Sequence, residues 1–289
     1  MRKGERDSLH FPPFRVYGAS FAMDALQKRT RLVKLLRRIM EAALIAPVDS
    51  DLDEENRALG ASTPEELIEW ASEQFGDALM ASTSFGATSA VMLHLVHRVA
   101  PRTPIVCVDT GYLFEETYQF ADALVKQLGL DVHFYSAEMS SARQEALYGR
   151  LWEQGEDGVK RYLQINKVEP MQRALDDLGA RAWMAGLRAQ QTEHRAGLRR
   201  IDRQDGRIKL HPILHWSAEQ VDAYMTKHNL PHHPMVDQGY RSIGDHHSTI
   251  PTTADMDPRD GRILGQTREC GLHLPLTKEQ DQSLKSSGL

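Results

Sequence analysis

The sequence predicts an α/β fold, a mostly parallel sheet with helices on both faces. Short apolar runs alternate with amphipathic stretches between residues 62 and 230. Each apolar run stops at a polar turn, several of them containing glycine. Strands separated by helices pair in parallel, because a parallel connection needs a crossover of a dozen or more residues.

The elements follow in order. Ser62-Thr63-Pro64-Glu65-Glu66 opens a helix with a capping hydroxyl, a proline in the first turn and early acids, and the helix runs to Phe75. Ala78–Ala81 is a short strand, and Ser82-Thr83-Ser84-Phe85-Gly86 is the tight polar turn after it. Residues 87–99 place Val91, Leu95 and Val99 on one helical face. Ile105–Val108 is a strand with Cys107 buried in it, Asp109-Thr110-Gly111 is its terminal turn, and residues 115–128 form a helix. Residues 132–135 form a strand, 168–178 a helix, 182–185 a strand, and 217–228 a helix capped by Ser217. Beyond Pro231 the periodicity fades into a stretch rich in His, Asp, Gly and Arg.

Composition bounds the functions. A net charge of −5 argues against broad electrostatic binding of nucleic acid, and no apolar run is long enough to cross a membrane. Two cysteines build neither a disulfide framework nor a four-thiolate metal site, which fits a reducing cytoplasm. The pairs His232-His233 and His246-His247 match no zinc-ligand template, so no metal is expected. Residues 1–40 hold ten Lys/Arg against three acids. The expected organisation is a basic accessory segment over 1–45, with an amphipathic helix over 26–44. A nucleotide-binding α/β domain over 46–230 and a mobile C-terminal tail over 231–289 follow.

Three turns, 82–86, 109–111 and 186–188, each follow a strand, and in open α/β sheets ligands sit beyond the carboxyl ends of strands. Ser82, Thr83, Ser84 and Gly86 resemble an anion cradle at a helix start. The turn lacks the Gly-Lys-Ser/Thr of a Walker loop and the aspartate of the ATP-pyrophosphatase loop. After Gly186 come Arg188 and Arg195, forked donors suited to phosphate or sulfate, and Lys167, Arg259 and Arg262 add charge. Cys270 stands in a polar segment between Arg268 and His273, and nearby positive charge favours the reactive thiolate. The set reads as a site for a small polyanion that carries an atom open to attack by sulfur.

The segments 82–86, 108–114 (Val-Asp-Thr-Gly-Tyr-Leu-Phe), 165–171 (Ile-Asn-Lys-Val-Glu-Pro-Met) and 186–191 (Gly-Leu-Arg-x-x-Gln) resemble the phosphoadenylyl-sulfate reductase family. So do 239–245 (Gly-Tyr-Arg-Ser-Ile-Gly-Asp) and 269–273 (Glu-Cys-Gly-Leu-His), and the matches run in order from about Glu54 to His273. The resemblance implies an adenine nucleotide alpha-hydrolase-like fold, related to PP-loop enzymes. It implies reduction of 3′-phosphoadenylyl sulfate to sulfite and adenosine 3′,5′-bisphosphate, with thioredoxin or glutaredoxin as electron donor, in a homodimer without a bound cofactor. Cys270 would be the nucleophile and His273 its catalytic neighbour. Ser82, Thr83, Ser84, Phe85, Gly86, Asp109 and Gly186 would hold the nucleotide, and Lys167, Arg188, Arg195, Arg259 and Arg262 the phosphate and sulfate. Relatives that take adenylyl sulfate carry cluster cysteines, two of them where this chain has Asp245 and Ser248, so the resemblance favours the 3′-phosphorylated substrate. The competing readings are an adenylyl-sulfate reductase without a cluster and a non-reducing nucleotide-binding protein of the same fold.

Overall fold

A computed structural model describes residues 52–262 and 271–274. The basic segment 1–45, the helix expected within it, and Cys270 lie outside the described residues.

Local signals set some helix starts. After α1 (Leu52–Leu59), α2 (Pro64–Phe75) begins with a capping box. The Thr63 side chain accepts from the Glu66 N–H, and the Glu66 carboxylate accepts from the Thr63 N–H at 2.7 Å. β1 (Leu79–Thr83), α3 (Ser89–Val99), β2 (Ile105–Asp109), α4 (Glu115–Leu128) and β3 (Val132–Ser136) follow. α5 (Ser141–Tyr148) precedes a helical run in which α6 (Gly155–Leu163) passes through a π-helical turn, Gln164–Val168, into α7 (Glu169–Asp177). β4 (Ala182–Ala185), α8 (Glu193–Ala196), the hairpin β5 (Ile201–Gln204) and β6 (Arg207–Leu210), and α9 (Ala218–Lys227) complete the set.

The sheet order is β3-β2-β1-β4-β6-β5, parallel except for the antiparallel edge strand β5. β1 lies at the centre, paired with both β2 and β4. That pairing extends it to Thr83, so Ser82 and Thr83 are strand residues, where the sequence suggests a turn. One face of the sheet packs Leu79, Ala81, Ile105, Cys107 and Met184 against α2, α3 and α4. The other packs Met80, Val106 and Trp183 against Met171, Ala174 and Leu175 of α7. Alternate strand residues thus enter opposite cores, which is why these strands read as continuous apolar runs.

Sequence periodicity misses α1, α5, α6 and the β5–β6 hairpin. The hairpin turns at Asp205-Gly206, both with positive φ, between strands too short and too charged to register as apolar runs. Residues 231–262 form short 3₁₀ turns and two isolated β-bridges, Leu113 with Asp245 and Thr249 with Arg262, and they are packed. Met235 and Ile243 are buried and Asp245 is fully so. The histidine pairs serve this packing. His233 Nε2 lies 3.0 Å from Thr117 Oγ1, and the His247 ring stacks on Trp152 at 3.9 Å. Among the described residues no group of three or more metal-ligating side chains gathers, and no helix is long and apolar enough to cross a membrane.

The Leu95 side chain is fully buried between α3 and the sheet. Leu95→Ala is expected to lower stability by about 2–5 kcal/mol, against less than about 0.5 kcal/mol for exposed Leu147→Ala. Urea unfolding midpoints of the two variants check this.

Candidate active site

A cavity of about 360 Å³ opens beyond the carboxyl ends of β1 and β4. Ser82, Thr83, Ser84 and Gly86 at the end of β1, Gly186, Arg188 and Arg195 after β4, and Lys167, Arg241, Arg259, Arg262 and His273 all line it. Eleven of the fourteen site residues expected from sequence therefore line one cavity. Cys270 lies outside the described residues, while Phe85 and Asp109 do not line the cavity.

The hydroxyl-rich turn is held from within. The Ser82 hydroxyl donates to the Met184 carbonyl at 3.3 Å, and Thr83 Oγ1 accepts from the Phe85 N–H at 3.1 Å. Phe85 adopts φ +47°, in the left-handed region, with its ring fully buried and stacked on Phe134 at 6.1 Å. That position costs about 1–3 kcal/mol of backbone strain in a non-glycine residue and persists because the surroundings hold it. Phe85 is thus the anchor of the turn and not part of its wall. Asp109 is likewise engaged elsewhere: its carboxylate accepts from the Gly111 N–H at 2.8 Å and from the Tyr118 hydroxyl at 2.7 Å. Its neighbour Thr110 lines the cavity instead. At Gly186 an added Cβ would sit 3.3 Å from Met92 Cβ, so glycine lets β4's end lie close on α3.

Lys167 reaches the cavity from the π-helical turn, a feature that often marks functional sites. Asn166 beside it is fully buried and exchanges amide hydrogen bonds with Gln144 at 2.9 and 3.0 Å. Lys167 Nζ pairs with Asp245 Oδ2 at 2.7 Å, and the Thr110 hydroxyl donates to Asp245 Oδ1 at 2.7 Å. Burial pushes the Asp245 carboxyl up. The Lys167 charge, the hydrogen bonds from Lys167 and Thr110, and the Arg262 charge outweigh it and hold the carboxyl below its ordinary value.

The arginines are set by neighbours. The Gln191 side chain accepts from the Arg188 backbone N–H and from Arg195 Nη1, and Thr192 caps the Arg195 N–H at 3.2 Å. Arg262 Nη1 donates to the Ile243 carbonyl at 3.1 Å, and its guanidinium lies where a Cβ at Gly244 would clash. His273 is half-buried, and its Nδ1 lies 3.1 Å from Lys209 Nζ. Burial, then the charges of Lys209 and Arg195, hold its pKa well below the ordinary histidine value, so the ring is neutral. Cys107 is fully buried. Burial, with Asp109 adding to it, pushes its thiol up to about 12, so it is inert.

Sequence reasoning missed Thr110, Gln191 and Lys209, and treated Asp245 only as a replaced cysteine. The motifs 108–114 and 186–191 contain Thr110 and Gln191, but nothing local marks them as supports of a cavity. Six cations, Lys167, Arg188, Arg195, Arg241, Arg259 and Arg262, line the cavity together with the hydroxyls of Ser82, Thr83 and Ser84. It can bind a polyanion and stabilise charge on a departing phosphate.

Residues 78–251 match the family model described as phosphoadenosine phosphosulfate reductase domain. A phosphoadenosine 5′-phosphosulfate reductase of Synechocystis is 51% identical over 83% of this chain and 97% of its own. That of Thiocapsa roseopersicina is 51% identical over 78% and 94%. The crystal structure of a phosphoadenylyl-sulfate reductase from Candida auris, in a phosphate complex, superposes with a TM-score of 0.63 at 31% identity, covering 71% of this chain and 99% of that one. FMN adenylyltransferase of Candida glabrata, at 15% identity and a TM-score of 0.51, shares the fold.

Removing the Asp245 carboxylate leaves the Lys167 ammonium buried without its counter-charge. Asp245→Asn is therefore expected to destabilise the protein by about 3–5 kcal/mol, and the double variant with Lys167→Met to recover part of that. Because the native pKa of Asp245 is depressed, its contribution is complete above the unfolded value of about 3.9 and is lost as pH falls through the native one. Urea unfolding across pH should show a flatter acid limb in Asp245→Asn.

Proposed function

Because this chain belongs to the phosphoadenosine phosphosulfate reductase family, we propose that it reduces 3′-phosphoadenylyl sulfate to sulfite in sulfate assimilation, through a covalent intermediate on Cys270. The observation that carries the reading is the cavity shared by the hydroxyl turn, six cations and His273, which lies three residues after Cys270.

The Cys270 thiolate attacks the sulfonyl sulfur. The bond from that sulfur to the bridging oxygen breaks, and its electron pair leaves with adenosine 3′,5′-bisphosphate. Lys167, Arg195, Arg259 and Arg262 bind the phosphates and sulfate, and their charge offsets the negative charge that gathers on the departing phosphate. Ser82, Thr83, Ser84, Gly86 and Gly186 hold the nucleotide, with Arg188 beside them. Neutral His273 acts as a donor to the sulfonyl group. Cys270 is left as S-sulfocysteine.

Release needs a second thiol. A thiolate must attack Cys270 Sγ and expel sulfite, forming a mixed disulfide that a further thiol then resolves. Cys107, buried and with its thiol pKa raised, is unsuited to this. An outside dithiol, thioredoxin or glutaredoxin, supplies both thiols and the two electrons. The chain acts in the cytoplasm as a homodimer, with residues 1–45 as an accessory segment and 231–289 as the region that brings Cys270 to the cavity.

Mass spectrometry of protein mixed with substrate and no reductant should find a sulfonate on Cys270 that reduced thioredoxin removes. Cys270→Ser should bind nucleotide and release no sulfite. An unmodified Cys270 during active turnover would refute the intermediate. Turnover of 3′-phosphoadenylyl sulfate beside adenylyl sulfate decides the substrate, and preference for the latter would overturn the 3′-phosphate assignment.

A further inference from the structure

Residues 271–274, which begin at the peptide bond after Cys270, are gripped by the β5–β6 edge of the sheet. The Gln204 side-chain amide donates to two carbonyls of this segment, Leu272 at 3.2 Å and Leu274 at 3.0 Å. Its own carbonyl oxygen accepts from Lys209 Nζ at 2.5 Å. Lys209 Nζ reaches His273 Nδ1 at 3.1 Å and lies over the Trp183 ring, 4.3 Å from its centroid. Leu272 packs on the Met80, Val106 and Trp183 face of the sheet. Gly271 has φ +81°, a turn that glycine makes without strain, and faces Leu163 and Val168 at either end of the π-helical turn bearing Lys167.

The contact with Lys209 also orients the imidazole. An ammonium only donates, so His273 Nδ1 accepts and the ring proton sits on Nε2. His273 lines the cavity, so the tautomer that Lys209 selects is the one that can donate to a substrate oxygen from Nε2. Nothing in the reaction touches Lys209 or Gln204, and neither lines the cavity.

We propose that Gln204 and Lys209 are positioning residues, which register the segment following Cys270 against the sheet edge and hold His273 as a donor. The proposal rests on the reading of Cys270 as the sulfur acceptor. Cys270 is the immediate chain neighbour of Gly271, so a docked Gly271 tethers the thiol to the sheet edge. Loss of that tether affects chemistry more than nucleotide binding, because the hydroxyl turn and the arginines are separate from the hairpin.

Gln204→Leu removes both donors to the segment on a partly exposed hairpin, where the fold tolerates change. Lys209→Met removes the charge, and Lys209→Arg keeps it. The rate of S-sulfocysteine formation in a single turnover should fall by ~10-fold or more in the first two variants. Affinity for adenosine 3′,5′-bisphosphate should change less than about threefold, since the wall that binds it is intact. Lys209→Arg should recover part of the rate.

Histidine NMR supplies a second readout. The titratable and charged groups facing His273 are Lys209 on β6, His211 beyond it, which burial keeps neutral, Arg195 on α8 and Arg259 on the loop, with the carboxylates of Asp245 and Asp257 lining the same cavity. Lys209→Met should move the His273 titration upward, while Gln204→Leu leaves Lys209 in place. Wild-type adduct rates in both Gln204→Leu and Lys209→Met, or nucleotide affinity falling in step with the rate, would overturn the proposal. Wild-type protein that forms no adduct would instead overturn the sulfur-transfer reading. The His273 titration needs no turnover and still decides whether Lys209 holds the imidazole.

Discussion

The ion pair between Lys167 and Asp245 ties together three parts of the chain that are far apart in sequence. Asp245 belongs to the irregular segment after α9, Lys167 to the π-helical turn, and Thr110, which completes the carboxylate's hydrogen bonding, to the end of β2. A buried pair of this kind contributes little net stability, since desolvating both charges offsets their attraction. Its effect is geometric. With Asp245 held at the strand ends, Ile243 and Gly244 are placed where Arg262 can donate to one and lie flat on the other.

The cavity that results is asymmetric in charge. Hydroxyls and backbone donors come from the β1–α3 turn, and the cations come from the helices and the later loop. This division suits a nucleotide whose base and ribose need neutral donors and whose phosphates and sulfate need charge. It also suits a thiolate, because positive potential lowers the cost of forming one. The inert Cys107, sealed in β2, shows the opposite environment within the same sheet.

Strands and helices with strong periodicity or a proper cap were legible from local sequence. α4 and β4 begin and end where the apolar pattern does, and Thr63 and Ser217 cap as their residue types suggest. Each cation alone reads as a solvated surface charge, and it is their shared lining of one cavity that sets Lys167, Arg188, Arg195, Arg259 and Arg262 apart. Phe85 and Asp109 do not line the cavity, although both sit inside motifs with other members that do. Whether a motif residue faces the ligand or supports the turn depends on a side-chain direction that its neighbours decide. Lys209 was invisible for a related reason: a lysine between apolar residues on a short strand looks like a solvated edge.

The sequence alone determined the alternation of strands and helices, the polar turns at strand ends and the identity of the lone polar-segment thiol, because each depends on near neighbours in the chain. Tertiary structure decided which groups meet. The pairing of Lys167 with Asp245, the burial of Phe85 beneath its own turn, and the grip of Gln204 and Lys209 on the segment after Cys270 all join residues from separate elements. Such contacts follow from how the sheet edge and its crossovers bring distant segments together, and no local pattern encodes that.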